Sequence, residues 1–144
     1  MNRVLYLEQH GPNITQVFYY KNATEVLDKR CVDLLDEWCL KSGSSFEGRK
    51  KSFQYLTKGR QKPAILISER TQEIFFPLYG LKSEFNIWLS YLEIFACHQV
   101  EYNQTEIQFN DGTKIIVDIN RRTIQNQLKR CRTFLDALNQ VRHN

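Results

Sequence analysis

The strongest local constraint in the sequence is an alternating pattern on both sides of an Asp-Gly pair. Polar and apolar residues alternate from Glu106 to Asn110 and again from Thr113 to Ile119, with Asp111-Gly112 between the two runs. Tight two-residue turns favour Asp-Gly because their central residues need positive φ, and a period of two is typical of strands with one buried face. The sequence therefore predicts an antiparallel β-hairpin here.

Three further pairs of apolar segments have the aromatic and β-branched composition of strands. They are Val4–Leu7 with Ile14–Tyr20, Ala64–Ser68 with Glu73–Phe76, and Phe85–Tyr91 with Glu93–Val100. Gly11-Pro12-Asn13 supplies the turn of the first pair. Within the last pair, residues 88–96 also fit a helix, so both readings stay open.

Apolar residues at helical spacing predict two principal helices. The first is expected to begin near Asn22 and Thr24 and to end at Gly43, and the second closes the chain. Their apolar stripes are Leu27, Cys31, Leu34, Leu35 and Trp38, and Ile124, Leu128, Cys131, Leu135 and Leu138. Phe134, Ala137 and Val141 widen the second stripe and fit either core packing or a contact between subunits.

These elements predict an α+β fold, a mainly antiparallel sheet with two principal helices on one side, the last one C-terminal. The length of 144 residues with 42% hydrophobic and 25% charged residues suits a single domain over residues 1–144. The apolar runs are too short to cross a membrane, and the start of the chain does not fit a signal peptide. The four cysteines lack CxxC or disulfide-framework spacing, so we expect a cytoplasmic protein with reduced thiols and no membrane contact.

Positive charge is concentrated in two blocks. Residues 41–62 contain seven Lys or Arg and one Glu, and residues 119–144 contain six Lys or Arg and one Asp. The segments before and between these blocks are acidic, although the whole chain carries a formal charge of only +4. Such segregation is expected of a protein with a polyanionic partner, although solvated surface is the alternative. Arg121 and Arg122 also begin the last helix, where backbone N–H groups and guanidinium groups could both bind phosphate.

Catalytic and metal motifs are weak. Gly43–Lys50 has the two glycines of a phosphate-binding loop, but Arg49-Lys50 stand where Lys and then Ser or Thr are required. None of the three histidines lies in a zinc or nucleophile motif. Cys97 and His98 are adjacent, and a core thiol is favoured over a metal ligand there. We therefore expect a binding module rather than an enzyme, with no cofactor and no metal.

The basic segment resembles a signature of a known family. Residues 44–50, Ser-Ser-Phe-Glu-Gly-Arg-Lys, are similar to the GSS-aromatic-x-GRK motif of the ComK competence transcription factors of Gram-positive bacteria. Further matches follow in the same order over about residues 40–135, and the first 40 residues match loosely. These matches are Lys62-Pro63, Ile74-Phe75-Phe76-Pro77, Ile87-Trp88-Leu89-Ser90, the Thr105–Ile119 hairpin and Asn126-Gln127.

The resemblance implies a DNA-binding transcriptional activator of competence genes, which govern DNA uptake. Its expected partner is double-stranded DNA with paired A/T-rich boxes, bound mainly through the minor groove by a homodimer or tetramer, with RNA polymerase as a further partner. Longer ComK proteins carry a C-terminal regulatory tail, and this chain resembles a short form without it. The alternative is a protein-interaction adaptor or regulator whose basic patches dock on acidic partners.

The resemblance and the charge pattern together give the candidate DNA-binding residues. The motif contributes a loop whose glycine allows a close approach and whose Arg or Lys enters the groove: Ser44, Ser45, Gly48, Arg49 and Lys50. The remaining basic residues are phosphate candidates from charge alone: Lys51, Lys58, Arg60, Lys62, Arg121, Arg122, Lys129 and Arg130.

Overall fold

The computed structural model describes residues 3–143, which form three α-helices and nine β-strands. In chain order the elements are β1 (Val4–Gln9), β2 (Thr15–Tyr19), β3 (Thr24–Leu27), α1 (Cys31–Lys41), α2 (Phe46–Thr57), β4 (Ile65–Ser68), β5 (Glu73–Pro77), β6 (Ile87–Ser90), β7 (Ile94–Glu101), β8 (Gln104–Phe109), β9 (Lys114–Val117) and α3 (Arg121–His143). The α+β class and the C-terminal helix are confirmed. Within the described part of the chain, no helix combines the length and apolarity that crossing a membrane requires.

The strands form two antiparallel sheets. Six strands pair in the order β3-β2-β1-β6-β5-β4, and a smaller sheet has the order β7-β8-β9. The predicted hairpins β1–β2, β4–β5 and β8–β9 are confirmed. Residues 88–96 do not form an α-helix: a single 3₁₀ turn, Tyr91–Glu93, connects β6 to β7.

The six-stranded sheet is buried on both faces. Successive residues of its central strands point to opposite faces, and the apolar residues on each face belong to a separate core cluster. One cluster packs α1 against Leu7, Ile65, Phe75 and Trp88, and the other packs α3 and the small sheet against Leu66, Phe76 and Leu89. Helices therefore cover both faces, and the expected placement on one side is wrong because strands apolar on both faces need two covering layers.

The segment before α1 is a strand rather than the start of a helix. Thr24–Leu27 pairs with β2, with Thr24 opposite Phe18 and Leu27 opposite Thr15. The helix begins only at Cys31, whose backbone N–H donates to Oε1 of the buried Gln9 at 3.1 Å. The spacing of Leu27 and Cys31 fits a helix, but pairing of residues 24–27 with β2 makes this segment a strand. Gly43 follows the end of α1 with φ of +84°, as expected of a C-terminal glycine.

The helix α2 was not expected from the sequence, and it begins inside the motif of residues 44–50. It packs between α1 and α3 and beside β4, the outer strand of the large sheet. Phe46 joins the α1 cluster, and Phe53 and Leu56 join the α3 cluster. Covering an outer strand with a helix removes a site for unwanted strand pairing.

Candidate nucleic-acid interface

The motif residues Ser44, Ser45 and Gly48 form the start of α2, so the expected loop over residues 44–50 is wrong. Ser45 is the N-cap, and its Oγ accepts the Gly48 N–H at 3.0 Å. The Ser44 hydroxyl donates to the Cys39 carbonyl at 3.2 Å, joining α2 to the end of α1. A Cβ at Gly48 would lie 3.0 Å from the Ser45 Oγ, which gives the exposed Gly48 a local packing role. Ser and Gly at these positions therefore satisfy helix-capping chemistry.

Arg49 and Lys50 follow Phe46 by three and four residues, which directs them toward the packed side of α2. Arg49 is half-buried, and its Nε is buried without a hydrogen-bond partner. Burial raises the pKa of the nearby Cys39 thiol, and the charge of Arg49 acts in the opposite direction. Lys50 pairs with Glu47 at 3.1 Å, an exposed contact that contributes little to stability. Lys50 is thus freer than Arg49 to meet another anion.

The solvent side of α2 carries two lysines with an aromatic ring between them. Lys51, Tyr55 and Lys58 are spaced four and then three residues apart, so they share one helix face. Tyr55 is 82% exposed, which is unusual for a tyrosine on an ordered helix. With Arg60, which follows the helix, these residues form what we call the α2 face. A shallow cavity of about 460 Å³ is lined by Gln54, Tyr55, Lys58 and Arg60.

The segment after α2 is held in a defined conformation. Lys58 ends the helix in the left-handed region with φ of 59°, and Lys62 also has positive φ, at 50°. The Gln54 side-chain amide donates to the Arg60 carbonyl at 2.9 Å. The Thr57 hydroxyl accepts the Gly59 N–H at 3.2 Å. These bonds fix the positions from which Lys58, Arg60 and Lys62 project.

Two side chains of α3 anchor residues 58–62. Arg130 donates from Nη2 to the Gln61 carbonyl at 3.0 Å, and its guanidinium lies 5.1 Å from the Phe53 ring centroid. The amide of the buried Gln127 donates to the Lys62 carbonyl at 3.0 Å. Gly59 makes room for the guanidinium, since a Cβ there would lie 2.1 Å from Nη2. The two basic blocks of the sequence therefore meet at this contact.

The remaining basic residues of α3 lie on two different flanks. Arg122, Asn126 and Lys129 are exposed and spaced four and three residues apart, so they form a ridge on the solvent side. Arg121 is not part of this ridge. Its side chain lines a groove beside β7, and its backbone N–H donates to Gln99 Oε1 at 3.0 Å. Arg130 is directed toward α2. Phe134 is fully buried against Phe53, so its packing role is in the core.

The structure thus brings together the C-terminal half of the α2 block and the middle of α3. Lys58, Arg60, Lys62 and Arg130 share that junction, Lys51 continues it along α2, and Lys129 and Arg122 continue it along α3. Ser44, Ser45, Gly48 and Arg49 lie at the other end of α2, and Arg121 lies on the opposite flank of α3.

Three residues of this surface carried no functional expectation. Tyr55 is the exposed aromatic, Gly59 is the space for Arg130, and Gln127 binds the Lys62 carbonyl. Tyr55 could have been found from its spacing to Lys51 and Lys58, but only once α2 was recognised. The other two roles depend on contacts between residues more than 60 positions apart, which local patterns do not contain.

Within the described residues 3–143, no cluster of three or more His, Cys, Asp or Glu side chains is arranged to bind a metal ion. The four thiols are unpaired; Cys31, Cys39 and Cys131 are buried, and Cys97 is half-buried. Burial raises the pKa of Cys31 to about 11, the Thr15 hydrogen bond acting against it, so this thiol stays protonated at neutral pH. The α2 face and the adjoining part of α3 can bind a partner through positive charges and hydrogen bonds.

The fold and this surface define an α+β protein that presents cations from two packed helices. A family model described as ComK protein matches residues 4–142, so the chain belongs to the ComK family. The resemblance seen in residues 40–135 is confirmed, and the match begins well before the basic segment. No solved structure matches the chain significantly.

A curated relative supports the same assignment. The chain is 26% identical over 118 residues to a protein of Bacillus subtilis (strain 168) named competence transcription factor. The match covers 76% of this chain and 62% of the relative, so the chain spans less than two thirds of that protein's length.

Proposed function

We propose that this chain is a DNA-binding transcriptional activator of competence genes that recognises paired A/T-rich boxes mainly through the minor groove. Membership of the ComK family and the name of the curated relative support a role in competence transcription. The charge distribution supports a polyanionic partner. A function of this kind requires binding and no catalytic group.

The observation that carries the proposal is the docking of residues 58–62 onto α3. Arg130 and Gln127 bind the carbonyls of Gln61 and Lys62, so the end of the first basic block and the middle of α3 share one surface. That surface carries Lys58, Arg60, Lys62 and Arg130, with Lys51, Arg122 and Lys129 extending it along the two helices. A surface with this concentration of positive charge attracts a phosphate backbone over several ångströms.

The narrow minor groove of A/T-rich DNA concentrates negative potential and accepts Arg or Lys with few base-edge hydrogen bonds. Exposure favours Lys58 and Arg60 for insertion, because Arg49 has a buried Nε and would have to leave its packed position. Tyr55 would pack its ring against sugars or a base step, a contact that aromatic and apolar wedges make in minor-groove binders.

The other cations are assigned to phosphates. Lys51 on α2 and Lys129 and Arg122 on the α3 ridge extend from the same junction, and Lys50 could exchange Glu47 for a phosphate. Arg121 would contact a phosphate only where DNA reaches the other flank of α3. Paired boxes imply paired subunits, a homodimer or tetramer acting on cytoplasmic DNA, and activation implies contact with RNA polymerase.

Fluorescence anisotropy with labelled duplexes tests the proposal. The protein is titrated against a duplex carrying two A/T boxes and against a G/C-rich duplex at about 150 mM salt, where electrostatic non-specific binding is already weak. We expect clear preference for the A/T boxes and competition by a minor-groove ligand. Negligible binding without preference would contradict the proposal and favour the adaptor alternative.

Two variants locate the contact. Tyr55→Ala should weaken A/T-box binding several-fold without changing the melting temperature, because the ring is 82% exposed and contributes little to the core. Tyr102→Ala is the matched control, since Tyr102 is 81% exposed on the strand connection outside this surface. The Arg49→Ala/Lys50→Ala variant tests the motif separately: unchanged binding would remove these two residues from the interface.

A further inference from the structure

The flank of α3 that faces away from α2 carries two arginines outside the α2 face. Arg121, Leu128 and Arg132 are spaced seven and then four residues apart, so they share one side of the helix. Both arginines are exposed. Among residues 3–143 no carboxylate pairs with Arg121, and Arg132 reaches Asp136 only in an exposed contact of 3.9 Å. Both charges are therefore available to an anion that approaches this flank.

A groove of about 610 Å³ lies along the same flank, between α3 and β7. Its lining includes Leu92, Ile94, Phe95 and Leu128, and it includes no Asp or Glu. Phe95 is 70% exposed and Leu92 is 42% exposed, so apolar surface is open to solvent here. Contiguous exposed apolar surface of this kind is typical of interaction sites.

The two arginines lie toward opposite ends of this groove. Arg121 lines it beside Cys97 and His98, and Tyr91 lines it farther along α3. Burial raises the pKa of Tyr91, and the charge of Arg132 acts in the opposite direction, which places Arg132 near that ring. The groove therefore has an apolar middle and a positive charge toward each end.

The irregular shape of β7 determines how an occupant can be held. Its register with β8 shifts between Ile94 and Ala96 and again between Gln99 and Glu101. These shifts interrupt the regular row of backbone groups that an added strand needs. Side chains must therefore make the contact, as they do when an amphipathic helix lies in a groove.

We propose that this groove binds an amphipathic helix of a partner protein, with acidic residues at both ends of its apolar face. Eleven residues of α-helix span about 16 Å, so carboxylates three turns apart would reach Arg121 and Arg132 together. Apolar side chains between them would cover Phe95, Ile94 and Leu128. A phosphate backbone fits less well, because it would leave this apolar surface uncovered.

The partner helix is additional to the proposed DNA contact and does not depend on it. The groove and the α2 face lie on different flanks of α3, because Arg121 lines the groove whereas Arg130 contacts Phe53 of α2. The chain could therefore hold DNA and a partner protein at the same time.

Phage display of random peptides tests the proposal. The peptides have about 16 residues, enough to reach both arginines as a helix. The bait is the Lys51→Ala/Lys58→Ala/Arg60→Ala variant, so that the α2 face does not attract acidic peptides by charge. Enriched peptides should carry Asp or Glu about three turns apart with apolar residues between them. A fluorescein-labelled copy of such a peptide should bind the wild-type chain in anisotropy titrations and gain helical circular dichroism.

Variants of the groove locate the peptide. Arg121→Gln and Arg132→Gln should each weaken its binding about fivefold, and Phe95→Ser about tenfold. Arg122→Gln is the matched control, since it makes the same change of charge at the neighbouring residue, on the α3 ridge, and should leave binding unchanged. Thermal melting establishes that each variant folds.

Four results would overturn the proposal. They are a lack of acidic and apolar enrichment, equal losses for Arg121→Gln and Arg122→Gln, displacement of the peptide by an A/T-box duplex from the triple variant, and self-association of the chain that the peptide blocks. The last two would assign the groove to nucleic acid or to a second copy. Loss of DNA binding with peptide binding intact would count against the proposed function alone.

Discussion

The contact between Gly59 and Arg130 makes a quantitative prediction for Gly59→Ala. A Cβ at this position would lie 2.1 Å from Nη2 of Arg130 and 2.8 Å from its Cζ, so the guanidinium must move. The backbone of Gly59 lies outside the positive-φ region, so alanine brings no conformational strain of its own. The cost is therefore set by the contacts that Arg130 loses.

Those contacts are the hydrogen bond from Nη2 to the Gln61 carbonyl at 3.0 Å and the packing over the Phe53 ring at 5.1 Å. A hydrogen bond from a charged group contributes about 1.5 kcal/mol at the lower end of its range, which suits this part-exposed site. A cation–π contact adds about 0.5 kcal/mol. We expect Gly59→Ala to lower the free energy of unfolding by about 2 kcal/mol, and the melting temperature by roughly 6 °C.

Urea unfolding of Gly59→Ala, Arg130→Ala and the double variant provides the assay. Arg130→Ala should cost at least as much as Gly59→Ala, because it also removes the bond to Gln127. In the double variant the alanine at 59 meets no guanidinium, so its added cost should be close to zero. Strictly additive costs would refute the reasoning, since they would mean that the two residues do not act through one contact.

Three other properties follow from single side chains. Ser45→Ala should lower the free energy of unfolding by about 1 kcal/mol in urea titrations, because it removes the α2 cap, and an unchanged midpoint would contradict that role. Burial, with a smaller contribution from Glu93, raises the pKa of Glu73, so this group's contribution to stability is present at acidic pH and lost as pH rises through its native pKa. Glu73→Gln should accordingly raise the melting temperature at neutral pH but not below the ordinary glutamate pKa, and equal shifts at both would contradict the assignment. In thiol titration of the native protein, Cys97 should react before the buried cysteines, and early labelling of Cys131 would be inconsistent with its full burial.

Elements defined by local pattern were predictable, and elements defined by distant pairing were not. The Asp111-Gly112 hairpin and the stripe of α3 were correct because their signals lie within one element. Thr24–Leu27 was misassigned because pairing with β2, over a turn, decided its conformation. The division into two sheets depends on contacts across the whole chain.

The missed α2 shows how charge can hide a helix. Its core-packed residues, the buried Phe53 and the half-buried Phe46 and Leu56, are separated by basic and small residues, so no continuous stripe stands out. One pattern was present: Ser44 followed by Glu47 three residues later fits a capping box, although Ser45 is the residue that caps the helix. Recognising this pattern would have predicted a helix in place of the expected loop. The helical spacing would then have placed Tyr55 on its solvent side.

The salt dependence of DNA binding tests the central claim most directly, because it counts the phosphates that one cationic surface neutralises. The slope of log K against log salt is about −0.9 for each phosphate neutralised. Replacing Lys51, Lys58 and Arg60 together with alanine should make the slope for the A/T-box duplex less negative by roughly two to three. As a control, replacing the two exposed lysines Lys82 and Lys114, which lie outside the α2 face, should leave the slope unchanged. Equal slopes for the wild type and the α2-face variant would contradict the assignment of this surface to DNA.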